Sequence, residues 1–377
     1  MVGSVLRPLW LRPLCLLLLA VLAACSGPSK PVPKELGSNI GLIGVKSVWT
    51  AQVGPVEAFA APRIVGQQVL LASSSGVVTA LQADNGQPSW QVNVGSPAIS
   101  GVGSDGQTAA VLTESGDLVA MVAGKVLWKQ RLGALGLTTP LVAGARVFTL
   151  SADRTVTAFD AGNGQRLWQL QRATDPLVLG QAGVLIAVGD TLVVGVGGRL
   201  LGLNPSNGIS RWEIPVAVSR GTNEIERLVD LVAGASRVQG NVCVRAFRST
   251  VACVDALKGA LLWSKPATGS AGLGGDAEYV FGAEADGQLI AWNRQSGERL
   301  WSSAALQWRG LSTPVALGQN LVVGDQTGLL HFLSRTDGAL MDRAATDGSA
   351  IVGAPLLAGR TLIAVTQKGG VFAFRPE

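Results

Sequence analysis

The sequence predicts an all-β protein, an eight-bladed β-propeller made of four-stranded antiparallel blades. Two observations predict it: a hairpin pattern recurs along the chain, and a strand near the start completes an unfinished hairpin at the end. Patterns with a helical period are absent after residue 25. The repeat runs from residue 49 to residue 374, which favours a single domain in a chain of 377 residues.

Each copy of the repeat is typical of two short strands joined by a tight turn, with a tryptophan in the second strand. In residues 155–168 (TVTAFDAGNGQRLW), an alternating run is followed by Asn163-Gly164, a pair that favours a turn with positive φ. The pattern recurs at 78–90, 200–212, 251–263 and 289–301, and in weaker form at 118–128 and 330–342. Each copy therefore predicts a half-buried β-hairpin, and four strands per blade follow.

The tryptophans set the period and are predicted to be buried structural residues. They are Trp49, Trp90, Trp128, Trp168, Trp212, Trp263 and Trp301. Asp342 stands where an eighth would fall, and the separations run from 38 to 51 residues. This spacing is typical of a propeller or a repeat array.

The two ends of the chain predict how the ring closes. Residues 369–374 (GGVFAF) resemble the first strand of a hairpin whose tryptophan strand never follows. Residues 47–53 (SVWTAQV) provide a tryptophan strand with no partner before it. Pairing the N-terminal strand with the C-terminal blade would complete eight blades and remove the open sheet edges of an array.

The amino terminus predicts a lipoprotein signal. Arg7 and Arg12 precede an apolar run of 11 residues at 14–24, too short to span a bilayer and suited to a signal-peptide core. Residues 22–25 (LAAC) resemble a bacterial lipobox in which Cys25 is lipidated; an ordinary cleaved signal is the alternative. We therefore expect a signal peptide at 1–24, a lipidated and flexible tether at 25–40, and the propeller at 41–377.

Two cysteines remain for the folded domain, Cys243 and Cys253, on the two strands of one hairpin. If Arg248-Ser249 is a two-residue turn, the two sulfurs lie on opposite faces of the sheet and cannot bond. A loop with an odd number of residues would make them direct partners. The sequence leaves both a disulfide and two buried thiols open.

Charge and composition argue against several functional classes. Without residues 1–24, 28 Lys and Arg face 25 Asp and Glu, a net charge of +3, and no basic stripe with interleaved aromatics predicts nucleic-acid binding. The single histidine, His331, lies inside an apolar strand, where a packed role is expected. No paired carboxylates, no zinc-ligand cluster and no phosphate-binding glycine loop stand out. The sequence therefore predicts a protein with no catalytic residues, no metal and no cofactor.

Two long spacings predict where a partner binds. Residues 174–181 (TDPLVLGQ) and 214–232 (IPVAVSRGTNEIERLVDLV) both connect an outer strand to the next inner strand, so both should emerge on the same rim. Insertions on one face of a repeat ring commonly bind partners. The second mixes apolar residues with charged ones, which is typical of a protein contact. A solvated loop whose leucines cap the blade core is the alternative.

The repeat (AFDAGNGQRLW in residues 158–168) resembles that of pyrroloquinoline-quinone (PQQ) propellers. This resemblance covers nearly the whole chain after the signal, and it implies a fold rather than an activity. The quinoprotein alcohol dehydrogenases would add acidic calcium ligands, a catalytic aspartate and commonly a vicinal cysteine pair, which are not found here. A periplasmic quinone-cofactor enzyme or sensor is the alternative function.

The lipobox, the eight repeats and the segment TNEIERLVD together resemble the BamB family of outer-membrane assembly lipoproteins. The resemblance implies a non-catalytic scaffold of the Bam complex that binds the periplasmic POTRA domains of BamA and, through BamA, the other Bam lipoproteins. It leaves open direct contact with unfolded outer-membrane proteins. Residues matching the family's BamA-facing positions are Leu177, Leu179, Glu224, Ile225, Arg227, Leu228 and Asp230.

The chain departs from the family pattern at two contact positions. Gly180 stands where the family has an arginine, and Val232 where it has a second aspartate. Ser26 after the lipobox cysteine implies sorting to the outer membrane, with the propeller facing the periplasm.

Overall fold

Regular structure in the computed structural model, which describes residues 31–172, 177–218 and 228–376, consists of β-strands. The described part of the chain contains no helix that could span a bilayer. The described residues form 32 strands in eight antiparallel sheets of four. Each sheet is one blade, so the predicted all-β fold of eight four-stranded blades is confirmed.

The strands follow one another blade by blade from the inner to the outer position. The first strand of the chain is β1 (Val45–Gln52). Blades 1 to 4 contain β2 (Arg63–Val65), β3 (Gln68–Ala72), β4 (Val77–Gln82), β5 (Pro88–Asn93); β6 (Gly103–Ser104), β7 (Thr108–Leu112), β8 (Asp117–Val122), β9 (Lys125–Arg131); β10 (Leu141–Ala143), β11 (Arg146–Leu150), β12 (Thr155–Asp160), β13 (Arg166–Gln171); and β14 (Leu185–Val188), β15 (Thr191–Val196), β16 (Arg199–Leu203), β17 (Ser210–Pro215). Blades 5 to 8 contain β18 (Leu231–Val238), β19 (Asn241–Ala246), β20 (Thr250–Asp255), β21 (Ala260–Pro266); β22 (Gly274–Gly275), β23 (Tyr279–Ala283), β24 (Leu289–Asn293), β25 (Arg299–Ser303); β26 (Val315–Leu317), β27 (Asn320–Gly324), β28 (Leu329–Ser334), β29 (Leu340–Ala345); and β30 (Leu356–Ala358), β31 (Thr361–Val365), β32 (Gly370–Pro376).

The ring closes as the two chain ends predict. β1 is the outer strand of blade 8 and pairs antiparallel with β32, with Trp49 opposite Ala373. This pairing replaces the covalent hairpin that joins the two outer strands in the other seven blades. The N-terminal strand therefore holds the ring shut through backbone hydrogen bonds and side-chain packing.

The hydrophobic core lies between the blades. Eight clusters of buried residues are present, and each joins one blade to the next around the ring. In β12, Val156 and Ala158 face blade 4, whereas Phe159 faces blade 2. The repeat strands were expected to be half-buried, but β12 is buried along nearly its whole length. The reason is that alternate residues of a sandwiched blade pack against two neighbouring blades.

Each tryptophan joins its blade to the outer hairpin turn of the next blade. The indole nitrogens of Trp49, Trp128, Trp168, Trp263 and Trp301 donate hydrogen bonds to carbonyl oxygens of that turn, at 2.8 to 3.3 Å. In all seven blades with a tryptophan, the indole ring lies against the turn glycine of the next blade, which has a positive φ. The seven pairs are Trp49–Gly86, Trp90–Gly124, Trp128–Gly164, Trp168–Gly208, Trp212–Gly259, Trp263–Gly297 and Trp301–Gly338.

The boundary between blades 7 and 8 lacks a repeat tryptophan. Asp342 lies opposite Phe332 at the register position that tryptophan occupies in the other blades, as predicted. The next blade, blade 8, has no covalent outer turn against which an indole could pack, because its two outer strands, β32 and β1, come from opposite ends of the chain. Instead, Asn39 Nδ2 donates a hydrogen bond to the buried Asp342 carboxylate at 2.7 Å.

Asn39 belongs to a segment, residues 34–43, that lies along blade 7, and we call this segment the strap. The Lys34 amide donates to the Gln307 carbonyl oxygen at 2.9 Å, and the Leu42 amide donates to Met341 at 3.0 Å. Arg309 Nη1 donates to the Lys34 carbonyl oxygen at 3.0 Å. We expected a flexible tether up to residue 40; the strap contacts place the edge of the propeller unit at Lys34 instead.

The cysteine hairpin has an odd loop. Ala246 lies opposite Thr250, so the loop between β19 and β20 has three residues, 247–249, rather than the two of an Arg248-Ser249 turn. Cys243 therefore faces Cys253 directly, and the two form a disulfide. Both residues are fully buried. The two-residue interpretation was wrong because Arg248 adopts a positive φ of 48°, which lets a longer turn close the hairpin.

Candidate functional site

The candidate site is the part of one rim formed by residues 177–183 and 228–233, which we call the docking rim. Residues 177–183 lie between β13 and β14, and residues 228–233 comprise the end of the next long connection and the start of β18. The Ala233 amide donates to the Ala182 carbonyl oxygen at 2.8 Å, and Gly183 forms a bridge with Val232. The described parts of the two long connections, residues 177–183 and 228–232, thus lie side by side on one rim, as the repeat spacing predicted.

Asp230 joins the two connections through its side chain. Its Oδ2 accepts a hydrogen bond from the Leu179 amide at 2.9 Å. Its Oδ1 lies 3.3 Å from Nη2 of Arg154, which comes from the loop between β11 and β12. The same guanidinium donates to the Leu177 carbonyl oxygen at 3.0 Å. Arg154 therefore contacts both connections, and sequence reasoning missed it.

Apolar side chains surround a groove of about 260 Å³ beside this ion pair. Leu179 lines the groove, and so does Leu135, from the connection between β9 and β10. Leu135 is 50% exposed, and the nearby Leu177 is 36% exposed. Exposed leucines around an apolar groove are typical of a protein contact. Leu135 was missed as well, because its connection is not lengthened.

The remaining predicted contact residues have different outcomes. Leu228 is partly buried, lining a second groove with Val218 and Phe247. Glu224, Ile225 and Arg227 lie outside the described residues, as does Cys25. Gly180, at the first departure from the family pattern, is exposed, and a Cβ there would meet nothing within 4 Å. Val232, at the second departure, is buried and pairs with Arg245 across the sheet.

His331 belongs to a buried polar cluster away from this rim segment. Its Nε2 lies 2.9 Å from Oδ2 of Asp325, which also accepts a hydrogen bond from Arg309 Nε at 2.8 Å. Burial opposes ionisation of Asp325, but hydrogen bonds from His331, the Leu329 amide, Thr327 and Arg309 outweigh it and hold its pKa well below the usual range. His331 is packed, as predicted, in a cluster whose members bind one another.

Among residues 31–172, 177–218 and 228–376, no group of three or more His, Cys, Asp or Glu is placed to hold a metal ion.

The fold defines the class of protein: an eight-bladed propeller built from PQQ-type repeats. The family model described as "Outer membrane protein assembly factor BamB" matches residues 74–303, and the chain belongs to this family.

Proteins with similar sequences align with nearly the full length of this chain. An outer membrane protein assembly factor BamB from Burkholderia pseudomallei is 36% identical over 369 residues, which is 96% of this chain and 97% of that protein. The protein of the same name from Bordetella pertussis is 32% identical over 348 residues, covering 91% of this chain and 90% of its own.

Solved structures match the propeller as well. The crystal structure of BamB from Moraxella catarrhalis has a TM-score of 0.79 at 26% identity and covers 88% of this chain and 99% of its own. A quinohemoprotein alcohol dehydrogenase from Comamonas testosteroni has a TM-score of 0.67 at 14% identity, covering 89% of this chain and 77% of its own. This second likeness shows the fold alone.

Proposed function

We propose that this protein is a non-catalytic scaffold of the outer-membrane β-barrel assembly (Bam) complex. In this role it binds the POTRA domains of BamA and assists the folding and insertion of β-barrel proteins. Family membership supports the assembly role. The docking rim supports binding of a folded protein partner, because it places exposed leucines beside a rigid, hydrogen-bonded frame.

One observation carries the proposal: the described parts of the two lengthened connections lie on the same rim, where the Leu179 amide donates a hydrogen bond to the Asp230 carboxylate. Such an arrangement presents Leu177 and Leu179 from a surface whose backbone is already fixed. Little conformational entropy is then lost when a partner binds, and rigid apolar groups contribute more of their burial to affinity. The apolar groove next to Leu179 would accept a side chain from the partner.

The location follows from the amino terminus. In this proposal Cys25 carries lipid and anchors the protein to the periplasmic face of the outer membrane. The lipidated cysteine lies nine residues before Lys34, where the strap begins. A chain of this length spans at most about 30 Å. The propeller would therefore be held close to the membrane in which BamA resides.

No catalytic step and no cofactor belong to this proposal. The most strongly perturbed carboxylate among the described residues, Asp325, already accepts hydrogen bonds from His331 and Arg309 inside the fold. A carboxylate held in this way stabilises its surroundings and has little capacity to accept a proton near neutral pH.

The test is purification of the tagged, full-length lipoprotein from its own envelope in mild detergent, with partners identified by mass spectrometry. The parent should bring BamA, and a Leu177→Ala/Leu179→Ala variant should bring much less. Ile209→Ala is the matched control, because Ile209 is 65% exposed on the opposite rim. Clean recovery of the parent without BamA would reject the proposed function.

A second arm of the experiment examines cofactor chemistry. The purified protein is mixed with PQQ and Ca²⁺, desalted, and its visible absorption spectrum is recorded. We expect no retained quinone absorbance. A stoichiometric quinone that survives desalting would contradict the non-catalytic assignment and favour the quinone-cofactor alternative.

A further inference from the structure

Arg154 occupies a backbone position that five other blades give to glycine. One or two residues before the third strand, blades 1, 2, 6, 7 and 8 have Gly76, Gly116, Gly287, Gly328 and Gly369, respectively. All five have φ between 78° and 84°, and Arg154 has φ of 63°. In all six the amide donates to the carbonyl oxygen three residues earlier. Blade 3 therefore places a bulky residue in a conformation that L-residues rarely adopt.

The side chain explains why a residue with this backbone cost is present. Its guanidinium donates to the Leu177 carbonyl oxygen and pairs with Asp230, at 3.0 and 3.3 Å. It also lies against Gly197 of blade 4, where a Cβ would come within 2.8 Å of Nη1. The two charged side chains are only 10% and 17% exposed. A strained backbone at such a point is held in place by its surroundings and commonly serves a function.

Asp230 has a role that its family position alone does not suggest. One carboxylate oxygen accepts the Leu179 amide and the other faces Arg154, so both are already used within the molecule. Its backbone carbonyl oxygen accepts the Phe247 amide at 2.9 Å. The carboxylate therefore has little capacity left for direct contact with a partner.

From these contacts we infer that Arg154 is a positioning residue for the docking rim. We call the Arg154–Asp230 ion pair, with its hydrogen bonds to Leu177 and Leu179, the clamp. Asp230 acts on partner binding mainly through this clamp. The clamp fixes the backbone that carries Leu177 and Leu179. Its docking role rests on the proposed function, whereas its effect on the rim itself does not. Without Arg154, the Leu177 carbonyl oxygen loses its hydrogen bond from the guanidinium. The Asp230 carboxylate, which accepts the Leu179 amide, also loses the ion pair that holds it in place. The leucines must then be ordered during binding, which lowers affinity.

The informative variant is Arg154→Gly, because glycine is the residue that five other blades carry at this position. Glycine removes the guanidinium and at the same time removes the strain of a positive φ on a residue with a side chain. The unfolding midpoint should therefore stay the same or rise. Arg211→Ala is the matched control; it removes an ion pair with Asp190 on the opposite rim. Arg154→Lys should retain part of the clamp that Arg154→Gly loses, since an ammonium group makes a single contact in place of two.

The first readout needs no partner: hydrogen–deuterium exchange of the full-length protein in mild detergent. We expect faster exchange in residues 177–183 of Arg154→Gly and of Asp230→Asn, with blades 6 to 8 unchanged and Arg211→Ala identical to the parent. Unchanged exchange at residues 177–183 in Arg154→Gly would overturn the clamp, whether or not the protein binds BamA.

The second readout is affinity for purified BamA in detergent. Arg154→Gly and Asp230→Asn should each weaken binding by about tenfold. The double variant should be no weaker than either single variant, because both remove the same clamp. Additive losses, or full affinity despite faster exchange, would overturn the positioning role. A parent that does not bind BamA would refute the proposed function instead, and hydrogen exchange would still decide whether the clamp exists.

Discussion

The indole ring of Trp128, in the outer strand of blade 2, lies directly against the backbone of Gly164 in blade 3. The indole nitrogen donates a hydrogen bond to the Ala161 carbonyl oxygen of the same turn at 2.9 Å. Gly164 has φ of 74°, and a Cβ there would lie 2.7 Å from Cδ2 of Trp128. The two most recognisable residues of the repeat, the tryptophan and the turn glycine, therefore meet across a blade boundary and not within one hairpin.

Gly164→Ala should lower the free energy of unfolding by about 2 to 4 kcal/mol, because it adds both left-handed backbone strain and a clash with the indole. Gly318→Ala is the control: Gly318 has φ of 61°, but a Cβ there would meet nothing within 4 Å. It should cost only about 1 kcal/mol. Denaturant unfolding measures both, and equal losses would refute the packing role of Gly164.

The Cys243–Cys253 disulfide should stabilise blade 5. The bond closes a short loop, with 10 residues of sequence separation, and a Cys243→Ala/Cys253→Ala variant should lose about 2 to 3 kcal/mol of unfolding free energy. Alkylation without reduction, followed by mass spectrometry, should find no free thiol at either position. The parent unfolded in the presence of a reductant provides the control and should resemble the double variant. Two alkylated thiols in the native protein would contradict the bond.

The strap should depend on the pair formed by Asn39 and Asp342. Asn39→Ala leaves the buried Asp342 carboxylate without that donor, at a cost of about 1 to 2 kcal/mol. Asn39→Asp should cost more, because two carboxylates would then face each other. Limited proteolysis of the full-length protein should cut within the strap, residues 34–43, faster in both variants. Equal cleavage rates in parent and variants would show that the pair does not hold the strap.

Asp325 should make stability depend on pH in the acid range. Its pKa in the folded protein lies below the unfolded value of about 3.9, so the ionised carboxylate contributes stability that is complete above that value and is lost as the pH falls toward the folded pKa. Asp325→Asn should lower stability by about 3 kcal/mol at pH 7, because the buried Arg309 guanidinium loses the carboxylate that balances its charge.

The same variant should also flatten the pH dependence below pH 4, since the group that titrates there is gone. Unfolding free energies of parent and Asp325→Asn, measured from pH 7 to pH 2.5, test this prediction. Curves that stay parallel throughout the acid range would mean that Asp325 contributes no pH-dependent stability.

The sequence by itself determined the number of blades, the closure by β1 and the rim on which both long connections emerge. These follow from local rules: alternation sets the face of a strand, a glycine turn sets a hairpin, and equal spacing sets the ring. The missing tryptophan at Asp342 was also visible in the spacing. A periodic fold makes such inferences dependable because each blade repeats the evidence of the last.

Only the tertiary structure decided which residues support the docking rim and whether the cysteines face each other. Arg154 lies 76 residues before Asp230, and no local pattern links them; they meet because adjacent blades bring their loops together. The cysteine pairing depended on one residue in a hairpin loop, through the backbone conformation of Arg248. Local pattern fixes strands and turns, whereas side-chain contacts between blades depend on the three-dimensional arrangement that those strands build.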